Sequence, residues 1–166
     1  MTSPGIVIVG AGQAAAVAAH ALREHGYRGR ITMLGRERHR PYERPPLSKA
    51  VLVAAEEPRL DVLAQDAWAL GDIDLRSCSD AVALDLSKRQ VRLADDQVLP
   101  YDMCLIATGG EASTLACAPA GRPHVHYVRT LDDVRRLRAA LQGKPRVAIL
   151  GGGFLGLEIA SSALSA

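Results

Sequence analysis

Two glycine clusters carry the chemistry that this sequence can do. Gly10-Ala11-Gly12-Gln13-Ala14-Ala15 is a GxGxxA that closes the apolar run GIVIVG, and Gly151-Gly152-Gly153-Phe154-Leu155-Gly156 is a GxGxxG that closes RVAIL. In such a turn the first glycine allows the chain to leave a strand sharply. The second lets backbone approach a pyrophosphate, and a small third residue lets helix and strand pack closely. The helix that starts there offers free N–H groups and the positive end of its dipole to phosphate. One such turn predicts one dinucleotide. Two in series predict two dinucleotides that must meet, and they stand too far apart for a solenoid repeat.

Other side chains are weaker candidates. An acid after the second strand would hydrogen-bond an adenosine ribose, and Arg36-Glu37-Arg38 offers Glu37. Arg36 keeps open the alternative of a 2′-phosphate, hence NADP, and a solvated charge cluster is the third reading. His124 and His126 alternate in HVHYV, but no third ligand has suitable spacing, so no metal site is expected. Cys78, Cys104 and Cys117 form no CxxC pair, which argues against a cysteine redox relay and for a reducing, cytoplasmic setting. Trp68, with Leu63 and Leu70, reads as core. Arg135, Arg136 and Arg138 read as a polar helix face, solvated or docking an acidic electron carrier.

These residues need strands and helices to position them. GIVIVG, a helix over 13–25 closed by Gly26, and RITMLG form a βαβ unit with parallel strands. The proline-rich RERHRPYERPP is irregular, a short helix follows from Leu47, and residues 61–70 are predicted helical. From Ile73 to Leu99 the alternating pieces IDLR, AVALDL and QVRLA, with turn signals SKR and ADDQ, predict an antiparallel meander. YDMCLIATGG is a strand running into a glycine turn. Thr130 caps a helix with Leu131, Val134, Leu137 and Leu141 on one face, ended by Gly143. RVAILGGG is the next strand.

With 166 residues, 48% of them hydrophobic, the chain can bury one domain or one and a fraction. A net charge of +2 gives no footprint for nucleic acid. No apolar run is long enough to span a membrane. The stretch from Ile6 to Leu22 lacks the basic leader of a signal peptide and is interrupted by Gly10, Gly12, Gln13 and His20.

The order GxGxxA, PYERPPLSK, YDMCLIATGG, VRTLDD, GGGFLGLE resembles the FAD-dependent pyridine-nucleotide oxidoreductases of the ferredoxin-reductase type. That group includes rubredoxin and putidaredoxin reductases, reductase components of aromatic-ring dioxygenases, and apoptosis-inducing factor. The similarity covers essentially the whole chain, and RPPLSK marks this branch, where the disulfide-reductase branch carries a cysteine pair. It implies an α/β fold: a Rossmann-like FAD-binding domain with a parallel sheet and a small antiparallel meander, then the first strand and helix of a Rossmann-like NAD(P)-binding domain. The corresponding division is 1–112 for the FAD domain without its return segment, 113–144 for a connecting segment with a helix, and 145–166 for the start of the second domain.

The resemblance also implies roles. Gly10, Gly12, Gln13, Ala14 and Ala15 would hold the FAD pyrophosphate and Glu37 the adenosine ribose. Arg44 would touch the phosphate–ribose side, Ala81 the adenine end through its backbone, and Thr108, Gly109 and Arg129 would border the flavin. Gly151, Gly153, Leu155, Gly156 and Glu158 would line the nicotinamide nucleotide. Lys49, one of only three lysines, would reach the flavin N5 region and pair with Glu158; these two are the catalytic candidates. The chain departs from the family where Gly110-Glu111-Ala112-Ser113 replaces the usual Arg-Pro step after ATG.

The expected activity is electron transfer from NAD(P)H through FAD to a ferredoxin- or rubredoxin-type iron–sulfur protein. Because the second unit holds one strand and one helix, the chain is expected to be the N-terminal part of a longer reductase, poor in FAD binding and without turnover alone. The alternatives are a flavin- or NAD-binding protein that signals or docks partners without steady turnover, and an NADP-binding module using Arg36.

Overall fold

A computed structural model of the chain describes residues 4–64, 67, 68 and 71–165. Contacts divide it into two compact units, Met1–Tyr42 with Asp61–Gly109 and Glu43–Leu60 with Gly110–Ala166.

The first unit is built on β1 (Ile6–Val9), α1 (Gln13–Glu24) and β2 (Ile31–Leu34). β3 (Ile73–Arg76) and β7 (Met103–Ile106) complete a four-stranded sheet in the order β3-β2-β1-β7. All three pairings are parallel, in the registers Ile6↔Ile31, Ile6↔Met103 and Ile31↔Ile73. The short strand IVIV is apolar throughout because both of its faces are covered. Ile6 and Ile8 pack with Ile31 and Met33 against Ala15 and Ala19 of α1. Val7 and Leu34 pack on the opposite side with Val91, Leu93 and Tyr101.

That second layer is the meander β4 (Ala81–Asp85), β5 (Gln90–Leu93) and β6 (Val98–Pro100), which is antiparallel. Its first turn is organised by Asp85, whose carboxylate accepts from the Lys88 N–H at 3.0 Å and the Ser87 hydroxyl at 2.7 Å. These bonds, the Lys88 N–H foremost, hold the Asp85 carboxyl below the usual carboxylate range.

Three expectations need correction. IDLR does not join the meander: it is β3, parallel to β2. Ile73 and Leu75 reach the α1-side core, while Asp74 accepts from Thr32 Oγ1 and Arg30 at 3.3 Å and from Arg76 at 3.1 Å. The alternation in IDLR is therefore that of an edge strand with one wet face. HVHYV forms no strand; His124 sits at φ +64°, and both histidines are exposed. RVAIL, residues 146–150, read as a strand, takes no strand pairing among the described residues, and Val147, Ile149 and Leu150 are exposed. A β-run without a neighbour has no ladder to form.

Of the helix expected over 61–70, residues 67 and 68 are helical, Trp68 packs on the α1-side core, and 61–63 are not helical. Residues 65, 66, 69 and 70, and with them Leu70, lie outside the described residues.

In the second unit a 3₁₀ turn (Pro45–Ser48) leads into the four-residue helix α2 (Ala50–Val53). α3 (Leu131–Leu141) and α4 (Phe154–Ser165) follow. α3 opens on a capping box: Thr130 Oγ1 accepts from the Asp133 N–H, and the Asp133 carboxylate accepts from the Thr130 N–H at 2.7 Å. Leu131, Val134 and Leu137 are its buried face.

The arginines of α3 are not simply a solvated or docking face. Arg135 makes a two-pronged pair with Glu57, at 2.6 and 2.8 Å. Arg138 donates to the Val51, Ala54 and Ala55 carbonyls at 3.4, 2.5 and 3.0 Å, capping the C-terminal end of α2. Arg135 and Arg136 are both exposed, and Arg136 lies beside Asp133. No helix among the described residues is long and apolar enough to cross a membrane.

Because a helix of four residues cannot hold itself together, Arg138→Ala should destabilise the second unit by about 2 kcal/mol, the scale of losing a charged hydrogen-bond donor. Denaturant unfolding of the variant against the wild type measures this.

Candidate functional site

The chain builds β2 and β3 to one side of β1 and then places β7 on the other. Their carboxyl ends therefore diverge between β1 and β7, the switch point where open parallel sheets take ligands. Gly10 and the pair Thr108–Gly109 stand at those two ends. Gly10 has φ +117°, and a Cβ there would lie 2.1 Å from the Ala107 carbonyl oxygen, so no other residue passes. Gly35, at the end of β2, faces Ala11 in the same way, its ideal Cβ 2.7 Å from the Ala11 Cβ.

Gly12 is the N-cap of α1, with no side-chain cap and no acid in the first turn. A Cβ built on it meets nothing within 4 Å. The turn thus leaves open space above a helix N-terminus whose N–H groups and dipole await a negative charge, which fits a pyrophosphate. Gln13 and Ala14 are exposed on the first turn, while Ala15 is fully buried and seats the helix on β1 and β2.

Glu37 follows β2 and is half-buried; the Tyr42 hydroxyl donates to its Oε2 at 2.6 Å. Tyr42 is itself only 7% exposed, with His39 edge-on to its ring. Arg36, the rival at this position, is exposed. Ala81 opens β4 and pairs with Leu93, on the meander side of the sheet.

The second glycine turn repeats the local geometry of the first. Gly151 has φ +120°, and a Cβ on Gly153 would meet nothing within 4 Å. A Cβ on Gly156 would fall 2.3 Å from the Gly151 carbonyl oxygen, so the third glycine lets α4 fold back over its own turn. Leu155 is exposed on the first turn of α4.

One turn further along α4, the Glu158 carboxylate has a partner on each oxygen. Ser48 Oγ donates to Oε2 at 2.6 Å, and Lys49 Nζ lies 3.1 Å from Oε1. The Ser48 hydroxyl first, then the Lys49 ammonium, hold the Glu158 carboxyl below the usual range. Arg44 donates to the Arg129 carbonyl at 2.5 Å, and Arg129 Nε donates to the Gly110 carbonyl at 2.7 Å. The second unit thus gathers Arg44 with Arg129 and Lys49 with Glu158. Gly10, Gly12, Gln13, Ala14, Ala15, Glu37, Ala81, Thr108 and Gly109 belong to the first unit.

Sequence reasoning missed Tyr42 and Ser48, both inside PYERPPLSK. The usable signal was a polar side chain beside a run of prolines that has no regular structure in which to expose it. Among the described residues no group of histidines, cysteines or acids is arranged to hold a metal.

A parallel sheet with a glycine turn at its switch point, and a second glycine turn opening a later helix, define a dinucleotide-binding α/β protein. The family model described as pyridine nucleotide-disulphide oxidoreductase matches residues 4–166, and the chain belongs to that family. It is 41% identical over 158 residues to the ferredoxin–NAD(+) reductase component of the p-cumate 2,3-dioxygenase system of Pseudomonas putida, covering 95% of this chain and 39% of the relative. It is 38% identical over 160 residues to the rubredoxin-NAD(+) reductase of Pseudomonas putida, covering 96% and 42%. Among solved structures it is similar to the covalent putidaredoxin reductase–putidaredoxin complex, with TM-score 0.88, 34% identity, and coverage of 99% of this chain and 40% of that one. The chain thus spans about 40% of the length of the relatives it matches.

Two substitutions separate folding from binding at the first turn. Gly10→Ala should lower stability by about 2 kcal/mol or more, since a strained φ and a backbone clash add. Gly12→Ala should cost no more than about 1 kcal/mol, the loss of a favourable N-cap residue, yet weaken dinucleotide binding about tenfold or more. Denaturant unfolding and a cofactor titration on the same samples check both.

Proposed function

We propose that this chain carries the cofactor cradles of an NAD(P)H-dependent, FAD-containing reductase that passes electrons to a ferredoxin- or rubredoxin-type iron–sulfur protein. The observation that carries the reading is the duplicated glycine turn. Two turns share one local design, with φ +117° and +120° at their first glycines and open space at their middle ones. The named relatives, ferredoxin–NAD(+) and rubredoxin-NAD(+) reductases, supply the electron acceptor class.

In this reading the first turn holds the FAD pyrophosphate through Gly10, Gly12 and the start of α1. Ala15 keeps that helix close, and Thr108 and Gly109 border the same cleft. Glu37, oriented by Tyr42, accepts hydrogen bonds from the adenosine ribose, which favours FAD over an NADP held by Arg36. Ala81 meets the adenine end, and Arg44 and Arg129 the phosphate and flavin sides. Gly151, Gly153, Leu155 and Gly156 hold the nicotinamide nucleotide. FAD held there would supply the hydride-accepting and one-electron chemistry, so the reading asks no side chain to act as a nucleophile. Lys49 supplies a positive charge toward the flavin, and Glu158, 3.1 Å from its Nζ, orients it. Domains at 1–112 and 145–166, joined by 113–144, remain the reading of the chain's organisation. A cytoplasmic location is supported by three cysteines, all free.

A cation near a flavin that gains negative charge on reduction raises its potential. Lys49→Met in the flavin-loaded protein should therefore lower the two-electron midpoint by roughly 20 mV for each kcal/mol of lost preference. Spectroelectrochemical titration measures it, and an unchanged midpoint overturns the role of Lys49.

A further inference from the structure

The two partners of Glu158 are unlike each other. Ser48 is buried, 3% exposed, and its single hydroxyl proton goes to Oε2 at 2.6 Å. Lys49 is a long, flexible chain whose side chain is 55% exposed, 3.1 Å from Oε1. A half-exposed ammonium leaves a carboxylate at little cost, because water replaces the pair. A buried hydroxyl on an anion does not, because breaking that bond would leave the Ser48 donor unpaired in the interior.

A second contact fixes Ser48 itself. Ser162 lies four residues after Glu158 and so shares its face of α4, and its Oγ donates to the Ser48 carbonyl at 2.7 Å. The helix thus meets residue 48 twice, once at the main chain and once at the side chain. The charged groups that bear on Glu158 are few. The 3₁₀ turn is flanked by Arg44 and Lys49, α2 contributes no ionisable residue, and α4 has no acid or base besides Glu158. Arg44 is directed to the Arg129 carbonyl.

We propose that Ser48 is the positioning residue of this cluster: its hydroxyl keeps the Glu158 carboxylate in one orientation whether or not Lys49 is engaged, which leaves the ammonium as the movable partner. The proposal rests on the reading that Lys49 and Glu158 serve the redox site. The downward shift of the Glu158 carboxyl, with Ser48 its largest cause, agrees with it. A carboxyl so depressed contributes stability above the ordinary glutamate range and loses it as pH falls through its own lower value.

The test is the pH titration of the Glu158 side-chain carbonyl carbon by NMR in the full chain, assigned with Glu158→Gln. Ser48→Ala should move the titration up toward the ordinary glutamate range, and Ser48→Thr, which keeps the hydroxyl, should hold it down. Ser162→Ala should weaken the packing of α4 yet leave the titration in place, which a purely structural role for Ser48 would not predict. In Lys49→Met the carboxyl should still titrate below the ordinary range. Ser48→Ala titrating like the wild type overturns the proposal. So does Lys49→Met alone returning Glu158 to the ordinary range, which decides the matter even where Ser48→Ala does not fold. A moved titration together with an unchanged flavin midpoint in Lys49→Met would sink the redox reading and leave the placement of Ser48 standing.

Discussion

The first unit depends on one crossing. Where β1 ends, its backbone passes the Ala107 carbonyl at the end of β7 so closely that a single added carbon would lie 2.1 Å from the oxygen. The chain can turn there only as glycine, in a φ that side chains avoid. Because the strands are parallel, this turn also sets where α1 begins, and the start of α1 is where anions are attracted. Steric exclusion between two backbones thus becomes an electrostatic feature a few residues later. Gly35 against Ala11 tightens the same corner from the β2 side.

The second unit uses a different currency, charge held by hydrogen bonds in a part of the chain with little regular structure. Proline-rich sequence cannot form a ladder or a long helix, so side chains from distant residues supply what backbone pairing would have supplied. Arg138 closes α2, Arg135 holds Glu57, Arg44 holds Arg129, and Ser162 and Glu158 hold Ser48. Each is a polar contact between segments far apart in the chain. Arginine suits such contacts, because its planar fork of donors can reach several acceptors at once.

Much of this was legible in the residues. The apolar strand, glycine turn and alanine helix of residues 5–24 read directly, because each local preference agrees with the fold. The capping box of α3 was half seen, through Thr130 but not Asp133. What was not legible depended on partners. IDLR alternates as a meander strand would, and only its neighbour β2 makes it a parallel edge. RVAIL reads as a strand from composition alone, while strand formation needs another strand beside it. Arg135 and Arg138 look like a solvated face because sequence spacing cannot show Glu57 opposite the first or the loose carbonyls of α2 opposite the second. Tyr42 and Ser48 act through single hydroxyls, which leave no periodic trace.

The cap that Arg138 places on α2 ties a short motif to a residue made much later in synthesis. Residues 45–53 gain no lasting order from their own backbone, since four-residue helical pieces do not persist in water. On a ribosome, then, the lysine-bearing turn would emerge shapeless and stay so while the sheet of the first unit assembled, until α3 had left the exit tunnel. The order of assembly is in this way written into the chain, with the sheet early and the Lys49 turn late.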